Sequence, residues 1–289
     1  DFMLRYRAEL FAQVPVEHLA VSSTFMQSAA PLPPDVVGTP LTYDVVGTVE
    51  QALRWRPAAD RLVVVTGTSP WDIQWEARMR AHVADLPKQL SVAFMAGLQA
   101  AELQRRLREL PANSIVFTPG FFRDGSGREF VPRDASQLVA VASSVPVYGP
   151  FSTFMGNGIV GGRMASYDAI GRLAAETTIE LLGGASPASL TMPAAMPTPL
   201  QVDWRQLRRW GISRQALPAD AIVHFKEPTL WQAYRRQVLI AGAVMLLQAG
   251  LIVALLLERR RRRRTAGALA RSEQHMRLAA HAASLSTWV

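Results

Sequence analysis

The sequence has 289 residues, of which 49% are hydrophobic and 19% charged, with 19 glycines, 19 prolines and no cysteine. This composition excludes a disordered or fibrous chain and leaves room for one large or two ordinary domains with real cores. The net charge of +8 looks like a nucleic-acid signal, but eight arginines and only two glutamates lie from Glu258 onward. Residues 1–237 hold 23 basic and 21 acidic side chains, so a nucleic-acid partner is not expected.

In chain order, residues 1–11 read as a helix end, followed after Pro15 by a short apolar element, Val16 to Val21. A short strand is expected over Pro40 to Tyr43 and a helix over Val46 to Trp55. Arg61 to Thr66, RLVVVT, is a continuous β-branched run of the kind buried on both faces of a parallel sheet. Helices are predicted over Trp71 to Leu86, Leu98 to Leu110 and Ala135 to Ser143. The strands between and after them are Ser91 to Phe94, Ser114 to Thr118 and Val145 to Tyr148. This β-α-β-α-β-α-β order predicts right-handed crossovers and a parallel sheet. GNGIVGG, residues 156–162, lacks the spacing and acidic partner of a dinucleotide fingerprint and the ending of a phosphate-binding loop. It reads as a loop and short strand with close backbone approach. A helix from Tyr167 to Leu182, capped by Gly183 and Gly184, follows it.

Ligands of such sheets sit beyond the carboxyl ends of the strands. Those ends supply the binding candidates. Ser22 and Ser23 come from the first, and Thr66, Gly67, Ser69, Trp71 and Asp72 from the second. Thr118, Phe121 and Phe122 come from the third, and Ser152 and Thr153 from the fourth. Hydroxyls, free N–H groups near glycine and aromatic faces suit a small polar or partly aromatic molecule. No catalytic set is expected. The five histidines (18, 82, 224, 275 and 281) have no metal-ligand spacing, and no base stands beside the hydroxyls. Asp124 and Glu129, flanking a glycine-rich turn, read as a solvated surface pair.

Val238 to Leu257 is twenty residues without a charge and with one polar side chain, Gln248. At ~1.5 Å per residue it spans the ~30 Å of bilayer hydrocarbon. Trp231, Tyr234, Arg235 and Arg236 precede it, and Arg259 to Arg264 follow it without interruption. This arginine asymmetry predicts a cytoplasmic C-terminal side and an exported residue 1–230 domain. The lack of cysteine fits an oxidising compartment. Because DFMLRYRAELF shows no signal-peptide pattern, the chain is expected to be an internal piece of a longer protein.

Four passages resemble the periplasmic sensor module related to the substrate-binding proteins of ABC transporters: RLVVVTGTSPWD (61–72), NSIVFTPGFFRDGSG (113–127), VPVYGPFSTFMGNGIVGG (145–162) and GRLAAETTIELLGG (171–184). The resemblance, over about 1–225, implies an α/β fold of the type I periplasmic-binding-protein kind. It has two doubly wound parallel-sheet lobes, the N-terminal one incomplete, plus one transmembrane helix. Lobe one would comprise about 1–50 and 155–190, lobe two about 57–147 and 195–225, with a small molecule between them. After a basic linker over 258–272, residues 273–289 resemble the opening of a PAS domain, carried by ALARSEQHMRLAAHAASLSTWV (268–289).

Together these resemble a bacterial sensor histidine kinase of the inner membrane, its sensor domain periplasmic and its C-terminus cytoplasmic. The resemblance implies a homodimer and a response-regulator partner. It also implies ATP and Mg for a kinase core outside this chain, with no cofactor, metal or catalytic residue within it. The alternatives are a membrane-anchored substrate-binding component of an ABC transporter, and the same sensor coupled to a diguanylate cyclase.

Overall fold

A computed structural model describes residues 2–12, 14–227, 234–259 and 276. The chain divides into two units, Asp1–Lys226 and Glu227–Val289.

The first unit is a mixed α/β structure built on a seven-stranded sheet. Its N-terminal elements are α1 (Phe2–Leu10), β1 (Val16–Glu17), α2 (Ser23–Ser28), β2 (Val36–Val37) and α3 (Val45–Trp55). The sheet then receives β3 (Arg61–Thr66), β4 (Ser91–Ala96), β5 (Ser114–Phe117), β6 (Val147–Tyr148), β7 (Gly161–Arg163), β8 (Leu200–Asp203) and β9 (Ile222–His224). Between them run α4 (Pro70–His82), α5 (Ala100–Arg108), α6 (Pro132–Ala142), α7 (Tyr167–Leu182) and α8 (Trp204–Arg209). The spatial order is β4-β3-β5-β6-β7-β8-β9, and only the β7–β8 pair is antiparallel.

The β-α alternation from 61 to 148 thus yields the parallel sheet expected of it. β3 is paired on both edges, and Leu62 to Thr66 are buried, as a continuous apolar run requires. α5 turns Leu103 and Leu107 inward at i and i+4 and sends Arg105, Arg106 and Arg108 to solvent. Trp75 and Met79 of α4 and Val139 of α6 complete the same core.

Two sequence expectations are corrected locally. Val36–Val37, rather than Pro40 to Tyr43, pairs with β1; beyond it only Leu41 makes an isolated bridge, to Ser22. Pro40 has no N–H to give a ladder, whereas the two β-branched valines do. Gly161–Arg163 is hydrogen-bonded into the large sheet beside β6 and β8. The close approach expected of GNGIVGG occurs here: a Cβ on Gly161 would stand 2.0 Å from the Gln201 carbonyl oxygen. After Arg163 the chain enters a separate small cluster of Leu41, Ala165, Ile170 and Met196.

The second correction concerns Asp124, which is only 2% exposed. Its Oδ1 accepts the Ser126 and Arg128 N–H groups and the Ser126 hydroxyl, and its Oδ2 accepts the Ala100 N–H at the start of α5. Burial opposes its charge, but the hydrogen bonds from Ser126, Ala100 and Arg128 outweigh burial and hold the carboxyl below its ordinary value. Glu129, by contrast, makes an exposed pair with Arg123.

In the second unit, a helix, α9, runs from Tyr234 to Arg259, and none of its apolar window is buried within the protein. Its 26 residues extend ~39 Å. Among the described residues it is the one helix long and apolar enough to cross a membrane. The basic run beyond Arg259 and the PAS-like sequence lie outside the described residues, save Met276.

A folded-state carboxyl pKa below the unfolded one stabilises at pH values above the unfolded pKa, near 4, and loses that contribution as pH falls through the folded value. Asp124→Asn is therefore expected to lower stability at pH 7 and to reduce the loss of stability as pH falls below about 4, checked by denaturant titrations at neutral and acidic pH.

Candidate functional site

The carboxyl ends of β3, β5 and β6 and the start of α7 converge on one cleft of about 440 Å³. Trp71 reaches it from the first turn of α4, Phe122 from the loop after β5, and Phe151, Thr153 and Phe154 from the loop after β6. Tyr167 opens α7, and Val131, Pro132 and Arg133 begin α6.

The aromatic wall is internally organised. Trp71 meets Phe122 edge to face at 5.1 Å and lies nearly parallel to Phe151 at 6.1 Å. Phe151 in turn contacts Phe154 at 5.3 Å, Trp75 at 5.7 Å and Tyr43 at 5.6 Å. Rings held by other rings keep their faces oriented without needing a ligand. Burial raises the Tyr167 phenol above its ordinary value, so at neutral pH it is a neutral donor. The Arg133 side chain pairs at 3.2 Å with exposed Asp134, and no Asp or Glu lines the cleft.

Asp72 holds this wall from behind. Ser69 caps α4 by accepting the Asp72 N–H, and the Asp72 carboxylate accepts the Ser69 N–H in return. The same carboxylate accepts the N–H groups of Phe122 at 3.0 Å and Arg123 at 3.2 Å. It thereby clamps the loop after β5 to the first turn of α4, setting Phe122 against Trp71. Gly67 permits the clamp, since a Cβ there would lie 2.1 Å from the Arg123 carbonyl oxygen and 2.5 Å from Asp72 Oδ2.

Among the sequence candidates, Trp71, Phe122 and Thr153 line the cleft. Thr118 is buried, donating to the Val65 carbonyl and accepting the Gly120 N–H, both at 3.0 Å. Phe121 packs into the core against Phe130, and Thr66 is buried at the end of β3. Ser152 receives the Tyr167 N–H at 3.5 Å without lining the cleft. Ser22 and Ser23 are elsewhere. Ser22 caps α2 and borders a different cavity, and Ser23 is the first residue of that helix.

Sequence reasoning missed Val131, Pro132, Arg133, Phe151, Phe154 and Tyr167. Phe151 and Phe154 carried a visible signal, two aromatics three apart immediately after a strand. Nothing local in the sequence marks Arg133, which the course of the chain after β5 returns to the cleft. Among the described residues no group of side chains is arranged to hold a metal ion.

Solved structures share the fold of the first unit. A substrate binding protein with adhesive properties from Clostridium difficile, in a ligand-free open form, superposes with a TM-score of 0.57 at 17% identity, covering 76% of this chain and 75% of that one. The fold is like that of this substrate-binding protein. An ABC domain from Streptococcus pneumonia, solved in complex with L-Trp, gives a TM-score of 0.54 at 13% identity, covering 73% of this chain and 72% of that one. A conserved domain protein from Vibrio cholerae O1 biovar El Tor gives 0.52 at 19%, covering 75% and 74%. No protein-family model and no curated protein matches the sequence.

Asp72→Ala leaves three buried or half-buried N–H groups without their charged acceptor, at about 1–3 kcal/mol for each donor left unsatisfied and least for the two half-buried ones, which water can reach. The variant is expected to lose roughly 3–5 kcal/mol of stability in denaturant titrations. Its tryptophan emission is expected to shift to the red as the Phe122 wall loosens from Trp71.

Proposed function

We propose that the first unit binds a small aromatic molecule carrying an anionic group, and that the chain as a whole is the sensing and membrane-crossing portion of a bacterial receptor. The observation that carries the ligand class is the cleft itself. Trp71, Phe122, Phe151, Phe154 and Tyr167 offer ring faces and edges, while Arg133 offers a guanidinium with no carboxylate among the cleft-lining residues. Apolar rings supply most of the binding energy, and a few polar groups fix orientation. The tryptophan bound by the streptococcal structure supports the same class, so aromatic amino acids and aromatic acids are the first ligands to test.

In this reading residues 238–257 cross the inner membrane once, with the arginine-rich side cytoplasmic and the binding unit periplasmic. A run of exposed Leu, Ile and Val along α9 is stable in lipid and costly in water. The ligand would favour one closure of two lobes, and its differential affinity for the two closures would set the size of the signal. Paired helices would carry that change to a PAS domain and a kinase core that uses ATP and Mg to phosphorylate a response regulator. The PAS-like residues 268–289 support this output over ligand delivery. The likeness to substrate-binding proteins favours the second reading, a tethered component of an ABC transporter.

Thermal shifts of the whole chain in detergent micelles, against L-Trp, L-Phe, indole-3-carboxylate, benzoate, L-Leu and glucose, test the ligand class. The aromatic compounds are expected to raise the melting temperature by mass action. Trp71→Ala and Phe151→Ala are expected to weaken their binding by about tenfold or more, since tenfold corresponds to ~1.4 kcal/mol. A shift with glucose or L-Leu alone would overturn the assignment.

Disulfide crosslinking of single cysteines placed along 238–257 tests signalling. The crosslinking pattern is expected to change when a binding ligand is added; an unchanged pattern with saturating ligand favours delivery.

A further inference from the structure

The first unit has a second cavity, of about 510 Å³, between α2 and α4. Gln74, Arg78 and His82 stand at i, i+4 and i+8 on α4 and so share one helix face. Ser22, Thr24 and Ser28 face them from the α2 segment, and among the described residues no acidic side chain lines the space.

Arg78 is the unusual member. Its guanidinium lies 4.9 Å from the Tyr43 ring centroid and 4.7 Å from that of Trp75. It is half-buried, yet among the described residues it has no hydrogen-bond or ion-pair partner. Other partly buried arginines of this unit have polar partners: Arg7 pairs with Asp35, Arg163 pairs with Asp44, and Arg56 donates to the Ala112 carbonyl. Burial raises the Tyr43 phenol above its ordinary value, with neighbouring Tyr167 adding to the rise and Arg78 opposing it, so at neutral pH this ring supplies no counter-charge. A stacked guanidinium is held rigid by its faces while its planar N–H fork stays free to grip two oxygens at once. Around it, Gln74 and Thr24 add donors with no hydrogen-bond partner among the described residues.

We infer that this cavity is a second ligand site, taking the oxyanion of a small molecule, carboxylate or phosphate, on the Arg78 guanidinium with Thr24 and Gln74 as supporting donors. The site is separate from the aromatic cleft and does not depend on what the cleft binds. One aromatic chain joins the two, because Tyr43, under Arg78, also contacts Phe151 of the cleft.

The test titrates the whole chain in detergent micelles with succinate, glutarate and inorganic phosphate at constant ionic strength, by isothermal calorimetry. None of these probes carries a ring, so a failed aromatic assignment for the cleft does not affect the result. Saturable binding of at least one probe is expected, and which probe binds distinguishes carboxylate from phosphate as the source of the oxyanion. Arg78→Gln is expected to weaken that binding at least tenfold. Arg78→Lys is expected to weaken it severalfold, since it keeps the charge and loses the fork, whereas Arg133→Gln should leave it unchanged. Should Arg78→Gln fail to fold by circular dichroism, Thr24→Val, expected to weaken binding severalfold, carries the test. Absence of saturable binding, or binding lost in Arg133→Gln and kept in Arg78→Gln, would overturn the site.

Discussion

The buried carboxylate of Asp72 ties together the two chain segments that make the cleft. It accepts N–H groups from Ser69, at the entrance to α4, and from Phe122 and Arg123, fifty residues later in the loop after β5. A charge with no exposed surface is tolerable only where hydrogen bonds replace its hydration, and here three backbone donors do so. The arrangement makes one acid both a helix cap and a loop clamp. The positions of Trp71 and Phe122, and through them the ring lattice that includes Phe151 and Trp75, follow from it. Asp124 repeats the device on the outer side of the same loop, binding the turn 124–128 to the start of α5.

This division of labour separates support from contact. The polar residues beyond the strand ends mostly satisfy backbone groups: Thr118 bridges β3 to its own loop, and Ser69 and Ser22 cap helices. The contact surface is left to rings and to arginines. Two guanidiniums, Arg133 and Arg78, border cavities that have no acidic lining, and the Phe151–Tyr43 contact places one aromatic lattice between them. The cleft is thus lined mainly by rings and one guanidinium, while most of the hydroxyls hold its walls in place.

Much of the fold was legible from local pattern. RLVVVT could be read as a doubly buried strand because every residue after Arg61 is apolar or small and β-branched, and α5 because Leu103 and Leu107 recur at helical spacing among arginines. The site was legible only by location. Strand ends pointed to the rim of the sheet where the aromatic cleft lies, which is why Trp71, Phe122 and Thr153 line it. The same rule also selected Thr66, Thr118 and Phe121, since at a strand end alternate residues face inward and outward, and sequence alone did not reveal which way each turned. Asp124 looked like a surface acid because glycine and serine surround it. In the structure those small residues let the turn wrap around the carboxylate and bury it.

The sequence by itself determined the alternation of strands and helices, the apolar length of 238–257 and the concentration of arginine after it. These are properties of consecutive residues, set by backbone periodicity and by the distance a helix covers per residue. Only the tertiary structure decided that β7 joins the large sheet antiparallel to β8, that Arg133 reaches the same cleft as Trp71, and that Arg78 lies on Tyr43 without an acidic partner among the described residues. Each of those facts depends on residues far apart in the chain meeting through the sheet order, and no local pattern carries that information.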